Sequence, residues 1–189
     1  MKILHIIPTL SLSGAERLLT SLAVDQSMDS QSSVEIFTLL GGGRQMAAVR
    51  AAGVPVREFQ LGGRLLDKMK TLVRLRQAVR ASNADIIHAW MYHSALLAFL
   101  FAPNRRRVLF AIHHNNPFDA GLPWATRLIA FGCAIASRLS GPVVYVAGTS
   151  QVKHERIGYA KSNSRVVRVG VDETAMIPAS PRRSVSRKA

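Results

Sequence analysis

The sequence predicts a single domain of the α/β class, built on a doubly wound, mostly parallel, Rossmann-like sheet. Short apolar runs alternate along the chain with stretches of helical period, which is typical of parallel strands joined by crossover helices. No internal repeat interrupts this rhythm. The 189 residues are 48% hydrophobic, so the chain can bury one sizeable core.

Six strands and six helices are predicted along the chain. The strands are the apolar runs at residues 2–7, 33–40, 54–61, 85–90, 107–112 and 142–148. The helices are the stretches of helical period at residues 14–26, 44–53, 64–82, 93–102, 123–140 and 149–160. Because ligands of such sheets bind outside the carboxyl ends of the strands, the candidate functional residues are those that follow each strand.

The turn after the first strand, "PTLSLSGAE", ends on Ser13 and Gly14, where the first helix begins. Ser13 followed by Glu16 fits a capping box, which satisfies backbone donors at the start of a helix. That interpretation does not account for Gly14, because glycine weakens a helix but lets a ligand approach the exposed N–H groups. The turn is therefore either an ordinary helix start or a phosphate-binding site. The G-x-G-x-x-G fingerprint, which would favour phosphate binding, is absent.

Four polar residues, "HHNN", follow the fifth strand. They form either a solvated turn or a polar rim for a hydroxyl-rich or phosphate-bearing ligand, contacted by His113, His114 and Asn115. His5 and His88 lie within apolar strands and are interpreted as satisfied core histidines. The histidines lack the spacing of zinc ligands, and no serine-hydrolase elbow or Walker loop is present, so no metal and no cofactor are predicted.

The net charge of +14 is concentrated in the helix from Arg64 to Arg80, in the cluster Arg105–Arg107 and in the last residues of the chain. Nucleic acid is not expected as a partner, because only 6% of the residues are aromatic and none is interleaved with the basic clusters. The basic helix is either a solvated face, with Arg stems over apolar neighbours, or a surface that rests on an anionic membrane.

The single cysteine, Cys133, cannot form a disulfide within the chain, which is typical of a reducing compartment. The sequence shows no apolar stretch long enough to cross a bilayer and no export signal. We therefore expect a cytoplasmic protein, with peripheral attachment to the inner face of the membrane as an open alternative.

Five motifs, taken together in their order and spacing, resemble the N-terminal half of family 4 glycosyltransferases of the GT-B fold: "HIIPTLSLSGAERLLTSLA", "ADIIHAWMYHSALLA", "VLFAIHHNN", "VVYVAGTSQVKHERIGY" and "VVRVGVD". The resemblance implies that residues 1–172 are a Rossmann-like domain that holds the acceptor and faces a separate donor-binding domain across a cleft. It implies transfer of a sugar, with retention of configuration, from a nucleotide diphosphate sugar to a polysaccharide or glycolipid acceptor.

The same resemblance implies roles for particular residues. The family's glycine turn, which lies against the donor diphosphate, falls on Ser13 and Gly14. The family's histidine near the transferred sugar falls on His114 or His113, and we assign the catalytic position to His114. His113 and Asn115 are assigned contacts with sugar hydroxyls.

Several positions depart from the family pattern. Ser13 stands where the family often has glycine, Ala147 stands where it usually has serine, and Arg168 begins the pair that replaces its Pro-Asn. The chain ends seventeen residues after Asp172, and residues 173–189 are expected to be a basic, disordered tail rather than a donor-binding domain. Two functions stay open: half of a glycosyltransferase, completed by a donor domain that a separate chain could supply, or a non-catalytic acceptor- or membrane-binding module.

Overall fold

The computed structural model describes residues 1–113, 116 and 121–168, and these residues form one parallel sheet with helices on both faces. His114, Asn115 and the predicted tail, residues 173–189, lie outside the described residues. The strands are β1 (Lys2–Ile7), β2 (Ser33–Thr38), β3 (Val56–Glu58), β4 (Ile86–Trp90), β5 (Val108–Ile112), β6 (Val143–Tyr145) and β7 (Ser164–Val166). The helices are α1 (Gly14–Met28), α2 (Met46–Ala51), α3 (Leu65–Ala81), α4 (Met91–Phe101), α5 (Trp124–Ser137) and α6 (Gly148–Arg156), with a 3₁₀ turn at Arg105–Arg107.

The strands follow the order β3-β2-β1-β4-β5-β6-β7. All six neighbouring pairs among the described residues are parallel, so the predicted doubly wound α/β fold is confirmed. The order reverses between β1 and β4, where His5 pairs with His88 and Ile6 with Ala89. This reversal is the topological switch point of the sheet, the place at which such folds bind ligands.

Most elements lie within the predicted ranges or differ from them by a few residues at their ends, and two further differences concern a missed strand and the start of a helix. The structure adds β7, which the apolar pattern missed because this edge strand has three residues and buries only Ser164. Helix α4 begins at Met91, directly after β4, two residues before the start that its apolar pattern indicates.

The two faces of the sheet carry different helices. Helices α3, α4 and α5 cover one face, in a core that contains Leu75, Phe99 and Cys133. Helices α1 and α2 cover part of the other face, in a core that contains Leu19 and Val49. The apolar alternation of the strands accounts for this division, because successive strand residues point to opposite faces.

The β1–α1 and β2–α2 loops are held together by a close backbone contact. Gly43 lies so near Leu10 that a Cβ at this position would stand 2.4 Å from the Leu10 carbonyl oxygen. The N–H of Gln45 donates to the same carbonyl group at 2.9 Å. Only glycine fits at Gly43, so this residue sets the path of the loop that leads into α1.

Replacing Gly43 with alanine should therefore lower the free energy of unfolding by about 1–3 kcal/mol, because the backbone of Leu10 would have to move. Urea denaturation measures this change. Gly62→Ala is the matched control, since a Cβ there meets no atom within 4 Å, and it should stay within about 0.5 kcal/mol of the parent. Equal stability of the two variants would contradict the close contact.

Candidate functional site

The start of α1 is shaped by the carboxylate of Glu16. The reciprocal arrangement of a capping box is present between Ser13 and Glu16, and the Ser13 N–H donates to Glu16 Oε2 at 2.8 Å. The Thr9 hydroxyl donates to the other carboxylate oxygen. Burial alone would raise the pKa of Glu16, but donors from Thr9, Ser13 and Ser11 hold it below its ordinary value. The turn is therefore rigid and carries an ionised carboxylate, and the predicted capping box is confirmed.

Gly14 lies exposed at the first position of α1, and nothing in the described structure requires glycine there. A Cβ on Gly14 would meet no atom within 4 Å, and its φ is not in the left-handed region. The first N–H groups of a helix have no acceptor within the helix and carry its partial positive charge. The absent side chain leaves these groups open to approach from solvent.

The indole of Trp90 lies at the centre of a cluster of rings on the α1 side of the sheet. Its Nε1–H donates to Nδ1 of His5 at 3.1 Å. Because Nδ1 accepts, Nε2 of His5 carries the proton and donates to Oε1 of Gln26 at 2.9 Å. The rings of His88 and His113 both stack against the indole, with centroid distances of 4.5 and 5.0 Å.

Two of these histidines are held in the neutral form. Burial lowers the pKa of His5 to about 4, although its hydrogen bond to Gln26 partly opposes the shift. Burial also lowers the pKa of His88 well below its ordinary value, and the nearby His5 and His113 lower it further. The rings of His5 and His88 are therefore uncharged at neutral pH.

A cavity of about 230 Å³ opens beside the ring cluster, between α1 and the uncovered part of the sheet. The Nε2 atom of His88 is buried and has no hydrogen-bond partner among the residues that the structure describes. Arg168 supplies the fixed positive charge of the cavity wall. The lining residues are Leu18, Leu22, His88, Trp90, Ala111, His113, Val144, Val146, Val167 and Arg168.

The junction between β4 and α4 is strained at Met91. Its φ is +68°, in the left-handed region that side chains other than glycine seldom adopt. Such a residue costs about 1–3 kcal/mol and persists where the surroundings enforce it, which is common at functional sites. Met91 adjoins Trp90 at the switch point, so the strain lies within the candidate site.

The structure brings the described site residues to one edge of the sheet. Gly14, Leu18 and Leu22 share one face of α1, and the two leucines line the cavity together with His113. Ser13 and Gly14 therefore lie above the cavity, at the carboxyl ends of the strands. The roles assigned to His114 and Asn115 fall on residues outside the described part of the chain.

The sequence-based interpretation of the two core histidines is half right. His5 is satisfied at both ring nitrogens, as expected. His88 is half-buried, and its buried Nε2 has no partner among the described residues, so within that part of the chain its interpretation as a satisfied core histidine was wrong. Sequence patterns do not show whether the ring nitrogens of a strand histidine are hydrogen-bonded, because the groups that bond to them lie on elements that are distant along the chain.

Within residues 1–113, 116 and 121–168, no group of three or more His, Cys, Asp or Glu side chains is placed to hold a metal ion. In the same part of the chain, no helix has the length and hydropathy that a bilayer crossing requires.

The sequence profile of the glycosyl transferase 4-like domain matches residues 13–180. The chain belongs to this family. The match covers α1 and every later described element, so the resemblance to the N-terminal domain of family 4 glycosyltransferases is confirmed. None of the curated protein sequences matches the chain significantly.

Solved structures of the GT-B type share the fold of this family member. The Anabaena protein HepE in complex with UDP-glucose is 20% identical, with a TM-score of 0.67 over 91% of this chain and 44% of that one. The apo form of the lipopolysaccharide outer core galactosyltransferase WaaB is 16% identical, with a TM-score of 0.60 over 97% of this chain and 50% of that one. The UDP-GlcNAc 2-epimerase from Methanocaldococcus jannaschii is 13% identical, with a TM-score of 0.61 over 88% and 45%. The chain thus spans about half the length of the structures that it matches.

The buried, neutral His5 predicts a specific loss of stability in acid. The unfolded imidazole titrates at its ordinary value of 6.5 and the folded one at about 4, so the unfolded chain binds this proton first as the pH falls. The stability that His5 contributes is fully present above pH 6.5 and is lost as the pH falls through 4. His5→Gln should remove about 3 kcal/mol of the pH dependence of the unfolding free energy between pH 7 and 4.

Urea denaturation across this pH range measures the effect. His93→Gln is the control, because His93 is exposed on α4 and outside the ring cluster, and it should keep most of the parent's pH dependence. An unchanged pH dependence in His5→Gln would show that His5 is not held neutral in the folded protein.

Proposed function

We propose that this chain is the acceptor-side domain of a glycosyltransferase that moves a sugar from a nucleotide diphosphate sugar to a glycan or lipid-linked acceptor. The observation that carries the proposal is the open first turn of α1 at the switch point, in a domain of the glycosyl transferase 4-like family. The HepE structures with UDP and UDP-glucose support a UDP-sugar as the donor.

The donor diphosphate is proposed to rest on the first turn of α1. Glu16 already caps the Ser13 N–H, so its carboxylate fixes the turn without covering the exposed side at Gly14. The next N–H groups, beginning with Gly14, supply donors to phosphate oxygens, and the positive end of the helix favours their charge. Glycine at this position lets the phosphate approach the backbone, which compensates for its low helix propensity.

The histidines and the amide after β5 are proposed to contact the transferred sugar. The ring of His113 is fixed by stacking on Trp90, which places it at the mouth of the cavity. The proposal keeps His114 as the catalytic residue and assigns sugar hydroxyl contacts to His113 and Asn115. It requires no metal ion and no cofactor, because charge on the leaving diphosphate is stabilised by backbone donors.

A second domain is proposed to form the opposite wall of the cleft. The solved structures matched here are about twice the length of this chain, which supports a partner domain that holds most of the donor. The boundary proposed for the acceptor-side domain is residue 172. The partner domain belongs either to the same polypeptide or to a separate donor-domain chain.

The substitution Gly14→Ala tests the diphosphate seat. In a protein that contains both domains, it should lower sugar transfer by about tenfold to a hundredfold, because the added methyl displaces the diphosphate from the backbone. Its melting temperature should stay equal or rise, since alanine suits a helix better than glycine.

The matched variant is Ser13→Ala, which removes the hydroxyl of the capping box and should lower stability by about 1 kcal/mol. Transfer from a UDP-sugar to an extracted acceptor and thermal melts are measured in parallel. If Gly14→Ala leaves transfer intact, the turn is ordinary helix-start chemistry. If the two-domain protein transfers no sugar from any nucleotide sugar, the non-catalytic binding module replaces the proposed enzyme.

We further propose that the domain associates with the anionic, cytoplasmic face of a membrane through the basic surface of α3. Arg74 and Arg76 are exposed on this helix, and apolar side chains are exposed between its basic residues, among them Met69 and Val73. Basic side chains near an anionic surface contribute about 1 kcal/mol each. This attachment would bring the domain to a lipid-linked acceptor.

The double substitution Arg74→Glu with Arg76→Glu should weaken co-sedimentation with phosphatidylglycerol vesicles by more than about tenfold, because two attractive charges become repulsive. Added salt should weaken the binding of the parent as well. Arg17→Glu with Arg44→Glu is the matched control, since it changes the net charge equally at exposed residues of the α1 and α2 layer. If both double variants lose vesicle binding equally, net charge and not the α3 surface controls the binding.

A further inference from the structure

Helix α5 turns its large apolar side chains toward solvent and its small ones toward the core. Ala130, Cys133 and Ala134 are buried against the sheet. The opposite face of the helix carries five large apolar side chains, which are between 55 and 75% exposed. This α5 ridge consists of Trp124, Leu128, Phe131, Ile135 and Leu139.

The spacing of the α5 ridge makes it continuous. Its members follow one another at intervals of three or four residues, so they form one stripe along the helix and its last turn. Single exposed apolar residues are common on proteins, but a contiguous stripe of this kind marks an interaction surface. No other element that the structure describes covers these side chains.

The ridge extends onto the neighbouring helix of the same layer. Helix α5 packs beside α4, and a Cβ at Gly132 would lie 3.7 Å from both terminal methyl groups of Leu96. Leu100, at the end of α4, is also more than half exposed. Helix α3 lies on the other side of α4 in this layer, and it exposes Leu65 and Leu66 in its first turn.

Positive charge lies at one end of the ridge and beside α4. The Arg105 guanidinium lies 4.8 Å from the centroid of the Phe99 ring on α4. Arg106, Arg138 and Leu139 line one surface depression, so two basic side chains lie at the end of the ridge. Among the described residues of α4, the 3₁₀ turn and α5, none is Asp or Glu.

We propose that the α5 ridge inserts into the interfacial layer of an anionic membrane. This inference rests on the proposed membrane association and identifies the part of the domain that enters the bilayer. Trp, Phe and Leu beside Arg are the residues with which amphipathic helices bind the headgroup and acyl boundary. The basic residues around the ridge then meet anionic headgroups.

The charge pattern favours a bilayer over a second copy of the chain. A two-fold symmetric dimer pairs each surface patch with itself. A dimer through the α5 ridge would therefore bury the arginines at its end against a surface whose described residues in α4, the 3₁₀ turn and α5 include no carboxylate. An anionic lipid surface complements both the apolar stripe and its basic surroundings.

Insertion of the ridge would also define how the candidate site is oriented relative to the membrane. Helix α5 runs antiparallel to the strands, so Trp124 lies toward the carboxyl edge of the sheet and Leu139 toward the amino edge. Because the ridge faces away from the sheet, its insertion would lay the sheet flat over the bilayer, with the layer of α3, α4 and α5 between them. The cavity lies on the α1 side of the sheet, so it would then open away from the lipid.

The double substitution Phe131→Ser with Ile135→Ser tests the inference. It should weaken partitioning into phosphatidylglycerol vesicles by at least about tenfold, because two apolar side chains no longer enter the bilayer. Its thermal melt should match that of the parent, since both residues are exposed. The control is Met28→Ser with Leu40→Ser, which removes two exposed apolar side chains elsewhere and should leave partitioning unchanged.

Quenching by brominated lipids gives an independent measurement. The chain has two tryptophans, and Trp90 is 1% exposed, so quenching at the bilayer reports Trp124. The parent should be quenched strongly, and Trp124→Phe should abolish the effect.

Two further outcomes would contradict insertion of the α5 ridge. If the variant Phe131→Ser with Ile135→Ser partitions as strongly as the parent, and the parent is not quenched, the α5 ridge does not enter the bilayer. Attachment through α3 would then still stand. The parent could instead be a dimer in sedimentation velocity while the variant is a monomer, with no vesicle binding by the parent. That result would assign the ridge to a second copy of the chain and overturn the inference. Neither outcome bears on sugar transfer, which Gly14→Ala tests separately.

Discussion

The indole N–H of Trp90 has to find an acceptor inside the protein, and the position of α1 depends on how it does so. Trp90 is fully buried at the end of β4, and the acceptor it reaches is Nδ1 of His5 on the adjacent strand β1. That bond fixes the tautomer of His5, which then donates to Gln26 on α1. One chain of hydrogen bonds thus joins both strands of the switch point to the helix whose first turn is the candidate phosphate seat. Because an unpaired buried donor is costly, the three elements are positioned together.

The loops around the first turn of α1 are rigid before any ligand is present. Glu16 satisfies donors from the loop that precedes it, and Gly43 lets a second loop pack directly against Leu10. A site that is already formed loses little conformational entropy when it binds, so more of the interaction energy remains as affinity. The exposed side of Gly14 is the part of this turn that the protein itself leaves uncovered.

Two features that cost stability lie beside the same site, and left-handed backbone also occurs away from it, at Gln60 and Asn83. The left-handed backbone of Met91 and the unsatisfied Nε2 of His88 adjoin Trp90 on β4. Elsewhere the domain follows the ordinary rules for parallel sheets, with apolar strand residues packed under helices on both faces. Natural proteins keep such local departures mainly where function requires them, which agrees with the location of the cavity.

By itself, the sequence determined the α/β class, the boundaries of most helices, the capping box at Ser13 and the family to which the domain belongs. These features are encoded locally, in apolar periodicity, in cap residues and in ordered motifs that need no knowledge of distant contacts. Tertiary structure alone decided that both ring nitrogens of His5 are hydrogen-bonded and that Nε2 of His88 meets no partner within the described residues, because such partners come from other elements. It also decided which side of α5 faces solvent: the helix is apolar on both faces, so its periodicity cannot assign the inner one. The space against the sheet beside α4 accepts the small residues around Cys133, and this leaves the large side chains of the α5 ridge outside.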